Sequence, residues 1–315
     1  MLLLRMVLVT LLGCMLISNS FAGETREIAI TIDDLPFVGS GTSTPAHLKR
    51  TQERFMAIVN ALVDHQVPAT GFVIGEAVAK NEWDLLQTFR NQGFALGNHT
   101  YTHQSLGAIS AEKYINDIER ADVRLAPVLT EPKYFRYPYL AEGKGAKRQK
   151  VLNYLAAHQY IVAPVTIDSK DYKFNARFSH LPYKQRVQLL PQLKKRYLNY
   201  IWGQTQAAER RSTNTKQILL LHANLLNSLC LHDILQMYEE KGYKFISLGE
   251  ALKVSSPGPT VFHKKRRVKK IAKKNSDVVF TYNIENILGS EWQILSQIHN
   301  FPDLMANEKR WNNAS

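Results

Sequence analysis

The chain reads as an α/β protein built on parallel strands, and three observations lead there. Short runs rich in β-branched and aromatic residues alternate with longer stretches of helical period along most of the sequence. Such strict alternation implies parallel strands joined by right-handed crossovers, closed into an α/β barrel or opened into a doubly wound sheet. Residues with chemical potential gather at the carboxyl ends of the runs, the edge where loops converge and sites form in these folds. Finally, 315 residues at 45% hydrophobic and 21% charged can bury a core without the apolar excess of a multi-span membrane protein.

The elements follow in order. Glu27–Ile32, with its repeated isoleucines, is the first strand and precedes the helical segment Pro45–His65. Ala69–Ile74 precedes Glu82–Asn91, and Phe94–Gly97 precedes Ser110–Leu125. Lys133–Phe135 leads into Lys147–His158, and Tyr160–Ile167 into the long helical stretch Tyr183–Glu209. Gln217–Leu221, nearly all Leu and Ile, has the composition of a buried strand and leads into Leu225–Lys241. Tyr243–Ser247 is the seventh strand, with no helix assigned after it. No internal repeat is visible.

Both ends differ from this body. Arg5, an apolar stretch from Met6 to Ile17, and small residues at Ser20 and Ala22 form the pattern of a secretory signal peptide cleaved after Ala22. A lipoprotein signal through Cys14 is the rival, and the apolar run continuing past that cysteine argues against it. An uncleaved anchor is disfavoured by the shortness of the segment. Export removes Cys14, so Cys230 is left without a disulfide partner; its apolar surroundings point to a buried thiol. After Lys253 the sequence SSPGP ends regular structure, and Lys264–Lys274 packs eight Lys and Arg with no acid. Beyond that run, Asp277–Tyr282 resembles a strand and Ile284–Ile298 a helix. The expected organisation is a signal peptide over 1–22, a barrel over 23–254 and a basic extension over 255–315.

The net charge of +13 calls for an anionic partner such as nucleic acid, a phosphorylated polymer or a membrane surface. Residues 255–315 contribute ten Lys and Arg against five Asp and Glu. A signal peptide, and a basic run without interleaved aromatics, weigh against nucleic acid.

Five strand ends carry the chemistry: Asp33-Asp34, His99 through His103, Arg136 through Tyr139, Asp168 with Asp171, and His222. His99 and His103, four apart, fall on one side of a helical turn or tight loop, suited to gripping a cation. Alone this spacing equally describes two solvated loop histidines; a carboxylate pair at the neighbouring strand end changes the balance. Two His nitrogens and one Asp oxygen with open positions describe a catalytic site for zinc or a similar borderline ion. Adjacent aspartates in extended chain point opposite ways, so one could bind metal while the other activates water. A turn or helix-cap pair, or paired glycosidase carboxylates, are the alternatives, and the last leaves both histidines without a role. His222 becomes a candidate general acid if Asp171 or Asp168 favours its imidazolium. Arg136 near Asp33 would hold that carboxylate ionised and oriented.

In this order the residues resemble five motifs of the NodB-homology polysaccharide deacetylases, carbohydrate esterase family four, over about Glu27 to Leu248. Thr31-Ile32-Asp33-Asp34 is similar to the first, with Ile in the usual aromatic place. His99-Thr100-Tyr101-Thr102-His103 and Arg136-Tyr137-Pro138-Tyr139 match the second and third. Asp168-Ser169-Lys170-Asp171-Tyr172 resembles the fourth with Tyr for Trp, and Leu221-His222 the fifth, with Ala223 where Asp often follows. The resemblance implies a distorted barrel of about seven parallel strands and metal-dependent removal of N-acetyl or O-acetyl groups from a glycan. It assigns Asp34, His99 and His103 to a divalent metal, usually zinc, with cobalt or nickel as substitutes. Asp33 would be the base toward the attacking water, His222 the acid toward the leaving group, and Arg136 and Asp171 their respective tuning partners. The backbone N–H of Tyr139 would stabilise the oxyanion, Leu221 would line the pocket for the acetyl methyl, and Tyr172 would offer the wall on which a sugar stacks. The helical stretch Tyr183–Arg211 lies between the fourth and fifth motifs and could reshape one rim of the cleft.

The expected function is thus an exported, periplasmic or extracellular deacetylase of peptidoglycan, chitin-like oligomers or exopolysaccharide. It would have no transmembrane span after processing, and a possible anionic envelope polymer as partner of Lys264–Lys274. The alternative is a non-catalytic glycan-binding protein on the same scaffold, for which a metal-and-acid set has no use.

Overall fold

The computed structural model describes residues 25–37, 45–80, 82–211 and 216–255. The signal segment with Cys14, the basic run Lys264–Lys274 and the elements expected after it lie outside the described residues.

Eight strands form one sheet in which every pairing is parallel. They are β1 (Arg26–Leu35), β2 (Thr70–Val73), β3 (Ala95–Asn98), β4 (Tyr134–Phe135), β5 (Ile161–Val162), β6 (Ile167–Asp168), β7 (Gln217–His222) and β8 (Tyr243–Phe245). The order is β5-β4-β3-β2-β1-β7-β6, with β8 against the first residues of β1. The sheet curls into a half-barrel surrounded by helices α1 (Pro45–Asp64), α2 (Trp83–Asn91), α3 (Ala111–Leu125), α4 (Gly145–Ala157), α5 (Asp171–Ser179), α6 (Tyr183–Arg211), α7 (Leu225–Glu240) and α8 (Leu248–Ser255). The distorted barrel expected from sequence is the fold observed.

β1 is central because both of its faces are apolar and covered. Ile28, Ile30 and Ile32 join the outer core with Phe55 and Leu62 of α1 and Leu231, Ile234 and Leu235 of α7. Ala29 turns the other way, into a cluster with Phe72, Tyr134, Ala163 and Ile218 drawn from across the sheet. The period-two alternation of a strand then carries the inward row of β1 from Ala29 through Thr31 to Asp33. In β7 the paired row runs Ile218, Leu220, His222, each opposite its counterpart in β1. Asp33 and His222 are therefore register partners on the inner face. Gly97 lies on the inner face of β3, where a Cβ would come 2.7 Å from the Tyr134 carbonyl oxygen and 2.8 Å from the Phe72 ring. No larger residue lets β3 approach β4 this closely.

Three elements differ from the sequence expectation, one of them the short helix α5 (Asp171–Ser179), where none was expected. Tyr160–Ile167 is not one strand but two, β5 and β6, at opposite ends of the sheet. Pro164 has no N–H for a ladder and breaks the run. The chain crosses between edges here: Ala163 N–H donates to the Phe135 carbonyl oxygen at 2.8 Å, and Thr166 N–H to that of Ile218 at 3.1 Å. The last strand is also followed by a helix, α8, whose start is a capping box. Ser247 Oγ accepts from Glu250 N–H at 3.2 Å while the Glu250 carboxylate accepts from Ser247 N–H at 2.8 Å.

Candidate metal and proton-transfer site

Asp33 and Asp34 leave the end of β1 in a way that extended backbone forbids. Asp34 has φ of 62°, a left-handed conformation that shifts the β1–β2 register and turns its side chain back beside that of Asp33. Asp33 Oδ2 and Asp34 Oδ1 then approach the same atom, His99 Nε2, at 3.8 and 3.5 Å. The opposition expected of neighbouring aspartates is removed by one backbone angle. His103 Nε2 lies 3.3 Å from Asp34 Oδ1. The ligand atoms of Asp34, His99 and His103 all fall within 4.8 Å of one another, the one such His/Cys/Asp/Glu group among the described residues.

The His99–His103 segment is a loop, with positive φ at Thr100 (64°) and His103 (56°). Asp117, on α3, holds it: Oδ2 accepts from Tyr101 N–H, Thr102 N–H and Thr102 Oγ1 at 3.2, 3.0 and 3.0 Å. Asn98 adds a bond from Thr100 N–H to its Oδ1 at 2.8 Å and is itself tied to Ile118 and Tyr160. Neither residue was singled out in the sequence. Asp117 carried a signal, an acid in line with the apolar positions Tyr114, Ile118 and Ala121 of an amphipathic helix.

Protonation states follow from geometry. His99 Nδ1 lies 2.9 Å from the Arg136 carbonyl oxygen, which can only accept, so Nδ1 carries a hydrogen and Nε2 is the ring atom turned toward Asp34. Burial, then the neighbouring His99, pushes the His103 imidazole down to about 4, leaving it neutral near pH 7. Burial opposes the Asp34 carboxylate, but His99, His222 and His103 around it hold it well below the usual carboxylate range. Asp34 Oδ1 is buried with no hydrogen-bond partner. Two imidazole nitrogens and a carboxylate oxygen this close are the donor set of a borderline divalent cation, and the residues fit one.

Arg136 lies beside the base candidate. Its guanidinium is fully buried, stands 3.8 Å from Asp33 Oδ2 through Nη1, donates from Nη2 to Thr31 Oγ1 at 3.1 Å, and lies over the Phe72 ring at 4.7 Å. Desolvation lowers its pKa while Asp33 and Asp168 act to raise it.

On the other side, the choice left open between Asp168 and Asp171 is decided by position. Asp171, fully buried at the start of α5, accepts from His222 Nδ1 and from His222 N–H, both at 2.6 Å. Asp168 instead pairs with Lys170 at 2.6 Å and accepts from Lys170 N–H. Burial works against the His222 imidazolium, yet Asp171, aided by Asp34 and Asp33, raises its pKa from 6.5 to about 10. Asn227 completes this side: its Nδ2 donates to Asp171 Oδ2 and to the His222 carbonyl oxygen, and its Oδ1 accepts from Tyr197. It too escaped the sequence reading, though a buried Asn in an otherwise apolar helix was the available sign.

Of the remaining candidates Tyr139 and Tyr172 lie beside this centre, whereas Leu221, expected to line the pocket, faces the outer core because strand alternation turns it away from His222. Tyr139 has φ of 59°, is 64% exposed, and its ring lies 4.7 Å from that of His103. Tyr172 is 45% exposed with its ring 6.0 Å from that of His222. Leu221, the pairing partner of Ile32, is buried within the outer core. Cys230 is buried as expected, and among the described residues no helix is long and apolar enough to cross a membrane.

Comparison with known proteins agrees with this geometry. Residues 22–161 match the family model for polysaccharide deacetylase. The chain is 29% identical over 159 residues to a peptidoglycan-N-acetylglucosamine deacetylase of Bacillus cereus, covering 49% of this chain and 50% of that protein. It is 30% identical over 155 residues to a chitin deacetylase of Colletotrichum lindemuthianum, covering 47% and 54%. The aligned part thus spans about half the length of these relatives. The crystal structure of a polysaccharide deacetylase from Bacillus cereus superposes with a TM-score of 0.52 at 21% identity, over 70% of this chain and 91% of that one, a likeness of fold. By the family model over residues 22–161 and by these relatives the chain is similar to the polysaccharide deacetylases, and the solved structure adds a likeness of fold.

Proposed function

We propose that the chain is an exported, metal-dependent deacetylase that hydrolyses N-acetyl or O-acetyl groups of a glycan such as peptidoglycan, chitin-like oligomers or exopolysaccharide. The observation that carries this reading is the division of labour across one register pair. Asp33 sits against a buried arginine, its partner His222 sits against a buried carboxylate, and a three-atom cation set adjoins them. A scaffold that only binds glycan has no need of an imidazolium held to about pH 10 beside a cation site.

Asp34, His99 and His103 would hold the ion, zinc or a substitute such as cobalt or nickel. When bound, it supplies positive charge that acidifies water and polarises an acyl carbonyl. Asp33 takes a proton from the attacking water, and Arg136 keeps that carboxylate ionised and aimed. The backbone N–H of Tyr139 faces the developing oxyanion. His222, held protonated by Asp171, gives its proton to the leaving nitrogen or oxygen as the bond to the acyl carbon breaks, yielding acetate and a free amine or alcohol. Tyr172 offers a ring against which a sugar can lie.

The organisation proposed is a signal peptide over 1–22, the catalytic barrel over 23–254 and a basic extension over 255–315 that holds the enzyme near anionic envelope polymers through Lys264–Lys274. Unchanged envelope binding and salt dependence after deletion of 255–315 would rule out that role for the extension. The central test is acetate release from a panel of acetylated glycans, with and without chelator, for the wild type and Asp33→Asn. Activity indifferent to both perturbations would sink the mechanism and favour the non-catalytic reading.

A further inference from the structure

Peptidoglycan carries carboxylates and chitin does not, and both kinds of deacetylase occur among the relatives. The rim beside His222 bears on which charge class this chain takes. Tyr172 presents an exposed ring there, and two lysine ammonium groups lie near it, Lys170 Nζ at 5.7 Å and Lys173 Nζ at 6.0 Å from the ring centroid. The two are not equivalent. Lys170 is spent on Asp168, with Nζ 2.6 Å from Oδ2, and its backbone takes φ of 50° at the start of α5. Lys173, one turn further on, is exposed, and no carboxylate of the described residues pairs with it. His222 and Asp171 form their own pair. Of the two lysines at this ring, Lys170 is paired with Asp168, and Lys173 is left as positive charge beside an aromatic platform.

We propose that Lys173 is a specificity-determining residue that favours glycans bearing a carboxylate on a sugar lying against Tyr172, over neutral N-acetylglucosamine oligomers. This rests on the deacetylase reading for its site and adds the charge class of the substrate. An ammonium on the third residue of a helix has rotamer freedom to follow such a group. Its flank against the ring keeps it over the platform instead of in bulk water.

The test uses the full chain and an oligosaccharide of alternating N-acetylglucosamine and N-acetylmuramic acid, compared with the same oligomer methyl-esterified at its lactyl carboxylates. Binding is measured by calorimetry and acetate release by a coupled assay, in the wild type, Lys173→Met and Lys173→Glu. The expected result is binding about two- to fivefold tighter for the free acid than for the ester, the size of one partly exposed ion pair. That preference should vanish in Lys173→Met, reverse in Lys173→Glu, and shrink with added salt. The effect should fall on KM toward the free acid. Equal binding of acid and ester by the wild type, or a preference that survives Lys173→Glu, would overturn the proposal. A preserved preference without acetate release would count against the deacetylase reading while leaving the charge selection standing.

Discussion

Replacing Asp171 by Asn isolates the proton-donating half of the site. The substitution keeps shape but removes the charge that overcomes burial at His222, whose pKa of about 10 should return to 6.5 or below. At pH 8 a group of pKa 6.5 is only about 3% protonated, so kcat/KM should fall about thirty-fold from loss of the acid form alone. The deficit should shrink on acidification, as the variant's histidine regains its proton, and the alkaline limb of the kcat/KM profile should move down by about 3.5 pH units or more. Stability gives a second readout. Because the folded pKa is raised, the pair's contribution is fully present below pH 6.5 and is lost as pH rises through 10. The wild type should therefore lose stability to urea across that window, and Asp171→Asn should lose little. Acetate release across the neutral to alkaline range, with circular dichroism to verify folding, measures both. A folded variant whose alkaline limb coincides with that of the wild type would refute the assignment of His222 as an acid held by Asp171.

Other outcomes follow from the same contacts. Asp34→Asn keeps a residue that tolerates the left-handed backbone but removes the anionic ligand. Zinc affinity, read by competition with a chelating dye, should fall by more than the about 100-fold that losing a supporting partner costs. Asp117→Ala deletes the acceptor of three bonds from the histidine loop and should lower stability to urea by about 2–4 kcal/mol, with weaker zinc binding alongside. Gly97→Ala forces a methyl against the Tyr134 carbonyl and the Phe72 ring, and should cost about 1–3 kcal/mol in the same assay.

What could be read from the residues depended on how local the cause was. β1 and β7 were legible because their apolar rows are intrinsic to the segments, and so was the meeting of strand ends, which follows from parallel topology. The split of Tyr160–Ile167 was not, because Pro164 only weakens a run; that its halves join opposite edges is decided by Phe135 and Ile218, far off in sequence. The missed helix α8 had its signal in Ser247 and Glu250, three residues apart. The convergence of Asp33 and Asp34 depends on a backbone angle that strand periodicity hides. The choice of Asp171 over Asp168 combines a local event, Lys170 claiming Asp168 two residues before it, with a distant one, His222 meeting Asp171 across 51 residues, which has no pattern of its own. Asn98 and Asn227 act through bonds to partners up to 62 and 56 residues away, so the site's supports were less visible than its reacting groups.

The crossing at Ala163–Thr166 bears on how this protein could be taken apart. All proposed cation ligands, the proposed base Asp33, Arg136 and Tyr139 precede it; the proposed acid His222, with Asp171, Asn227, Tyr172 and Lys173, follows it. The family match ends at residue 161, just before the same point. The peptide link there joins two sheet edges that do not otherwise pair among the described residues, whereas β1 with β7 and β8 joins the two halves by continuous ladders. A chain nicked at that point would keep every ladder of the sheet, making it a natural place to divide the protein into complementing fragments. One fragment would carry the proposed cation ligands and the other the His222–Asp171 pair with the rim around Tyr172, so that each could be exchanged between relatives independently.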